Sequence, residues 1–170
     1  MKKIVIIGPE STGKSTLCTQ LSEHFKCAHL PEYARLYLEE NGSEYTYDDV
    51  LLMAKGQIES ESNFNPVTPF HFIDTNILVF KVWIEEKYKL QVDWIEEQIE
   101  KDDCDFYFLC SIDLPWEEDP LREYPDQKDR ERLFARFHEL ILNSNKPFAI
   151  LKGDESQRLQ EALSYLNNIQ

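Results

Sequence analysis

At 170 residues the chain is long enough to bury one substantial core and short for two, so a single domain over residues 1–170 is expected. Its 32 acidic and 18 basic residues leave a net charge of −14, which argues against nucleic acid or an anionic membrane as partner and requires any anion site to be locally positive. Four cysteines without a C-x-x-C pair, four scattered histidines and the lack of a secretory leader or long apolar run exclude a disulfide scaffold, a zinc cluster and a membrane span, and lead us to expect a reduced, cytoplasmic protein.

The first element is the apolar run Ile4-Val5-Ile6-Ile7, a buried strand, and it leads into Gly8-Pro9-Glu10-Ser11-Thr12-Gly13-Lys14-Ser15. That stretch fits G-x-x-x-x-G-K-[ST], a pattern met by chance in under about 1% of chains this long. The loop wraps backbone N–H groups around a phosphate and opens a helix whose positive dipole end faces it. Gly8, Glu10, Ser11, Thr12, Gly13, Lys14, Ser15 and Thr16 are therefore candidates for holding ATP, with Lys14 reaching the β- and γ-phosphates and Ser15 one position on Mg²⁺.

Leu17, Leu21 and Phe25 then recur at helical spacing. Cys27 to Leu30 reads as a short strand stopped by Pro31, and Glu32 begins a helix ending near Asn41-Gly42. Thr46-x-x-Asp49 resembles a capping box for a helix reaching about Asn63. Phe70 to Ile73 is a buried strand with Asp74 at its C-terminal end, where parallel sheets place ligands. Ile77 to Ile84 is apolar enough to predict a buried helix, and Val92, Ile95 and Ile99 mark another. Trp83 and Trp94 are expected in the core. Phe106 to Cys110 is a fourth strand, and the acidic, proline-containing loop 113–125 has the length of a functional lid, with lid residues extending to about 130. Leu133, Phe134, Phe137, Leu140 and Ile141 give a helical face, Pro147 to Leu151 a fifth strand, and Asp154-x-x-Gln157 caps a last helix carrying Leu159, Ala162, Leu166 and Ile169. Strands alternating with helices predict an α/β, three-layer nucleoside-kinase-like fold: a five-stranded parallel sheet with helices on both faces and a lid.

A phosphate loop alone does not separate kinases from nucleotide-hydrolysing switches. The [NT]-K-x-D segment of switch GTPases is absent, and the small size and lid favour a kinase. Phosphoryl transfer needs a metal, cations over the transferred group and a carboxylate near the acceptor hydroxyl. Asp74 suits the metal and Glu32 the hydroxyl proton, and these two roles are interchangeable at this level. Arg122 and Arg130, with Lys128, Arg132 and Arg136, are the dense basic residues beside the lid; they contact phosphate charge or form surface ion pairs. Trp116 stacks on an aromatic or cationic ring, or anchors the lid.

These residues carry a resemblance that spans nearly the whole chain. Gly8 to Thr16, Pro31-Glu32-Tyr33-Ala34-Arg35, Phe72-Ile73-Asp74-Thr75 and Leu114-Pro115-Trp116-Glu117-Glu118-Asp119-Pro120-Leu121-Arg122 resemble the ribosylnicotinamide kinase domain of NadR-type proteins. The resemblance implies transfer of the ATP γ-phosphate to the 5′-hydroxyl of nicotinamide riboside. Lys14, Glu32, Asp74 and Arg122 would then act in transfer, and Glu32, Tyr33, Arg35, Asp74, Trp83 and Trp116 would form the acceptor site. Two features depart from the family pattern. Asn76 stands where a second acid commonly follows the strand aspartate, and the sequence starts directly at the first strand, so completion of NAD is expected to fall to another polypeptide. A kinase of another nucleoside or nucleotide, and a non-catalytic nucleotide-binding regulator, are the alternatives.

Overall fold

The computed structural model describes residues 2–168; Ile169 lies outside them. Five strands, β1 (Lys2–Ile7), β2 (His29–Leu30), β3 (Phe70–Asp74), β4 (Phe106–Cys110) and β5 (Phe148–Leu151), form one parallel sheet in the order β2-β3-β1-β4-β5. Seven helices surround it: α1 (Lys14–Phe25), α2 (Tyr33–Asn41), α3 (Tyr47–Asn63), α4 (Ile77–Tyr88), α5 (Asp93–Glu100), α6 (Gln127–Asn143) and α7 (Glu155–Asn168).

The three layers follow from the two-residue period of the strands. Ile4 and Ile6 of β1 join Phe72 and Phe108 on one face, covered by Leu17 and Leu21 of α1 and by Ala162 and Leu166 of α7. Val5 and Ile7 point the other way and meet Leu78 and Val82 of α4 and Leu133, Phe137 and Ile141 of α6. A third cluster joins α2, α3, α4 and α5 through Leu38, Met53, Phe80 and Ile95. Each such buried side chain contributes about 1.5–3 kcal/mol relative to exposure, so both faces of the sheet are needed to hold the layers together.

Local chemistry sets the element ends. Thr46 and Asp49 form the expected capping box at the start of α3, and Asp154 and Gln157 exchange two bonds of 2.9 Å at the start of α7. Pro147 falls outside β5, since it has no N–H for the ladder, but its carbonyl accepts from Tyr107 N at 3.0 Å. The strand expected from Cys27 is only two residues long, because Lys26 adopts a left-handed conformation at the end of α1 before the chain turns into β2. Glu32 stands one position before α2 rather than within its first turn. It is the N-cap residue by backbone geometry but makes no side-chain cap bond, which leaves its carboxyl free.

Candidate active site

β1 lies in the middle of the sheet, so the loop that leaves it is surrounded by the C-terminal ends of its neighbours β3 and β4. Gly8 has a φ of 147° and sits so close to the end of β4 that a Cβ there would lie 2.8 Å from the Cys110 carbonyl oxygen. Gly13 caps α1 in the left-handed region. Thr12 Oγ1 and Lys14 Nζ each donate to the Pro9 carbonyl at 2.8 Å, an arrangement that curls the loop around its own interior and keeps the ammonium beside the phosphate position.

Asp74, at the end of β3, is 2% exposed and accepts a short hydrogen bond from the Ser15 hydroxyl through Oδ2. Its Oδ1 is buried and finds no partner. Burial raises its pKa, an effect opposed by Lys14 and the Ser15 bond. Glu32 enters the same space from the start of α2. Burial first, and the Asp74 charge second, push its carboxyl up to about 7, against the opposing pull of Lys14. The site thus holds two carboxylates of different character, one committed to Ser15 and one near the middle of its titration at neutral pH.

The loop 113–125 closes over the phosphate loop through named bonds. Glu10 accepts the backbone N–H groups of Glu123 and Tyr124 at 2.9 and 3.0 Å. Ser11 Oγ accepts from Glu117 N at 2.9 Å and from Arg122 at 3.4 Å. Arg130, buried at the start of α6, donates to the Ser11 and Leu114 carbonyls at 3.1 and 3.2 Å. Arg35 reaches Asp119 at 2.9 Å from α2. Together these border a cavity of about 330 Å³ lined by Gly8 to Thr16 and by Glu32, Arg35, Val79, Trp83, Glu86 and Glu123.

The structure gathers most of the sequence-derived candidates there but separates others. Arg122 and Arg130 contact the phosphate loop, whereas Arg132 pairs with Glu86 and Asp129, Arg136 pairs with Glu85 and Glu139, and Lys128 is exposed. Tyr33 packs its ring on the bare backbone at Gly56 of α3 and lies off the cavity wall. Trp116 also lies off that wall. The Arg122 and Arg130 guanidiniums lie 5.9 and 5.8 Å from its ring centroid, so its ring already has the chain's own cations as partners. Trp83 is half-buried instead of fully in the core. It lines the cavity and donates from its indole N–H to Tyr45 Oη at 2.9 Å. Asn76 caps α4 and donates to Asp102 and Tyr107 Oη at 3.0 and 2.9 Å, so it serves a buried network with those two side chains.

Arg158 of α7 escaped the sequence reading. It is 1% exposed and donates to the carbonyls of Thr12, Ser111 and Gly153 while pairing with Asp113. One guanidinium thereby ties the phosphate loop, the end of β4 and the loop after β5. An arginine on an amphipathic helix reads as a surface charge, and only its full burial distinguishes it. The four cysteines are unpaired, three of them buried and Cys27 partly exposed, and burial raises the thiol pKa of each. Among the described residues no group of three or more His, Cys, Asp or Glu side chains could hold a metal, and no helix is long and apolar enough to cross a membrane.

A phosphate loop on the central strand of a parallel sheet, facing a carboxylate at the end of the adjacent strand and roofed by an irregular lid, defines a P-loop nucleotide-binding protein. A family model described as an AAA domain matches residues 3–158, and the chain belongs to that family. Two curated relatives support the NadR resemblance. The trifunctional NAD biosynthesis/regulator protein NadR of Salmonella typhimurium is 26% identical over 160 residues, covering 89% of this chain and 38% of the relative. Its Escherichia coli counterpart is 24% identical over 160 residues, covering 91% and 39%. The chain therefore spans well under half the length of these relatives. Among solved structures, NadR in complex with NR matches with a TM-score of 0.79 at 20% identity, covering 98% of this chain and 51% of that one. A deoxyadenosine kinase from M. mycoides matches with a TM-score of 0.68 at 14% identity, covering 99% and 100%. At these identities the structures establish the shared fold.

Proposed function

We propose that the protein is an ATP- and Mg²⁺-dependent kinase that phosphorylates the 5′-hydroxyl of nicotinamide riboside to give nicotinamide mononucleotide. The observation that carries this reading is the convergence of Glu32 and Asp74 on the mouth of a lidded phosphate loop. A mere phosphate anchor has no need of a second, partly neutral carboxyl beside the first. The resemblance to NadR, and a structural neighbour described as bound to NR, favour this acceptor. Trp83 adds an aromatic surface to the cavity wall on which a flat ring can pack, while Glu86 and Glu123 beside it are already paired with Arg132 and Lys87.

The donor set fits Mg²⁺, which takes oxygen ligands, keeps several waters and is held by one or two protein groups plus phosphate. Ser15 and Asp74 would hold it, and the unpartnered Asp74 Oδ1 supplies the free oxygen. When bound, it would neutralise charge on the β- and γ-phosphates. The chain's own groups do the rest. Lys14 and Arg122 stabilise charge on the transferred group, and the lid excludes water that would otherwise compete with the acceptor. The acceptor oxygen forms a bond to the γ-phosphorus as the bond from that phosphorus to the β–γ bridging oxygen breaks. The hydroxyl proton passes to Glu32, whose pKa near 7 suits a base at neutral pH.

Incubation with ATP, Mg²⁺ and a panel of nucleosides that includes nicotinamide riboside, followed by mass analysis, tests the proposal. A monophosphate of nicotinamide riboside is expected at the highest rate. Faster phosphorylation of another nucleoside would reassign the acceptor, and ATP binding without any phosphorylated product would replace the kinase reading with that of a nucleotide-binding regulator.

A further inference from the structure

Gln57 is a polar side chain with no exposed surface, in the middle of α3. Burying an amide is unfavourable unless its groups are satisfied, and here each atom has a partner. Oε1 accepts the backbone N–H of Tyr33 at 3.1 Å. Nε2 donates to the backbone carbonyl of Thr75 at 3.2 Å and to Glu61 Oε1 at 3.0 Å. Because two neighbours are acceptors and one is a donor, only this orientation of the amide satisfies all three. Glu61 is itself held by Lys3 of β1 at 2.6 Å.

The two backbone groups that Gln57 holds follow immediately after the two proposed reactive carboxylates, Tyr33 after Glu32 and Thr75 after Asp74. Both segments need such support. The Tyr33 N–H is the first of α2, where no intrahelical acceptor exists, and the Glu32 side chain makes no cap bond. Thr75 has a φ of 65°, a left-handed conformation that a β-branched residue adopts only under constraint. Its N–H is fixed to the Ile6 carbonyl at 2.9 Å, and Gln57 fixes its other side. The close seating of α2 on α3 at Gly56, which only glycine permits beneath the Tyr33 ring, brings the Tyr33 N–H within reach of the amide.

We propose that Gln57 is a positioning residue that fixes Glu32 relative to Asp74 by clamping the backbone immediately after each. The role rests on the kinase reading above for its catalytic consequence, but the clamp itself is measurable without turnover. Gln57 touches neither nucleotide nor acceptor positions; it acts through the two carboxylates.

The test compares wild type with Gln57→Met, which preserves volume and removes all three bonds. Hydrogen exchange read by mass spectrometry should speed up in segments 31–36 and 73–77 together, with the phosphate loop unchanged. In turnover assays kcat should fall about 10- to 100-fold, as expected for slight misplacement of reacting groups. The KM for acceptor and the affinity for an ATP analogue should stay within about threefold. Exchange unchanged from wild type in either segment, or a wild-type kcat, would overturn the inference, as would a loss of ATP affinity in step with kcat, since that marks general disruption. If wild type phosphorylates nothing, the kinase reading fails while the exchange result still decides the clamp. Should Gln57→Met not fold, Gln57→Glu retains the Tyr33 bond, and faster exchange confined to 73–77 is then the supporting result and unchanged exchange the refuting one.

Discussion

Replacing Glu32 by glutamine should make the protein more stable at alkaline pH and less active. Burial and the adjacent Asp74 move the Glu32 carboxyl from its ordinary 4.5 to about 7. At 1.36 kcal/mol per tenfold change in acidity, that displacement corresponds to about 3 kcal/mol of unfavourable ionisation in the folded state. Glu32 is only half-buried and shares the repulsion with Asp74, so solvent screening reduces the figure to about 1–2 kcal/mol. The sign follows from proton linkage. Between pH 4.5 and 7 the folded chain retains a proton that the unfolded chain has lost, so the contribution is complete below about pH 4.5 and is lost as pH rises through 7. Glutamine does not titrate, and no cap bond is sacrificed by the change. In metal-free buffer without nucleotide, thermal melts of Glu32→Gln should exceed wild type by about 2–8 °C at pH 8 for a chain of this size. The two should converge near pH 4.5. A variant no more stable than wild type at pH 8, or a gain that does not shrink on acidification, would refute the reasoning.

Lys14→Ala should lower kcat about 10²-fold, the effect of losing roughly 3 kcal/mol of preorganised charge stabilisation; an alanine enzyme with full turnover in steady-state assays would exclude that role. Glu10→Ala frees two lid N–H groups, and limited proteolysis within 113–125 should speed up about tenfold, whereas an unchanged cleavage rate would mean that Glu10 does not hold the lid. Gly8→Ala forces a Cβ against the Cys110 carbonyl at a φ of 147° and should destabilise by about 3 kcal/mol or more, read as a fall in Tm and lost binding of an ATP analogue. An unaltered melt would show that the loop can relax away from β4.

Most of the fold could be read locally because it is encoded locally. β1 alternates its apolar residues between two faces, α1 repeats Leu17 and Leu21 at helical spacing, and the Thr46 and Asp49 side chains announce the start of α3 in four residues. The phosphate loop was legible for the same reason, since its glycines, lysine and hydroxyl are contiguous. Gln57 and Arg158 were not. Each acts by long-range bonds from a side chain to a backbone carbonyl or N–H, 18 residues away for Gln57 to Thr75 and 146 for Arg158 to Thr12, and such bonds accept any residue type at the backbone end. Trp116 shows a different limit. An aromatic side chain on a loop announces that something flat or charged lies against it, but whether that partner is a ligand or the chain's own Arg122 and Arg130 depends on how the lid folds back.

Arg158 also bears on the order in which this protein can become functional during synthesis. The guanidinium that fixes the Thr12 carbonyl is translated 146 residues after the phosphate loop that it fastens. A nascent chain that has formed β1 and α1 therefore has the loop's internal bonds to Pro9 but not this anchor. Bound nucleotide meets the fully fastened loop only once α7 packs against the sheet, so its stabilising effect is greatest on the completed fold.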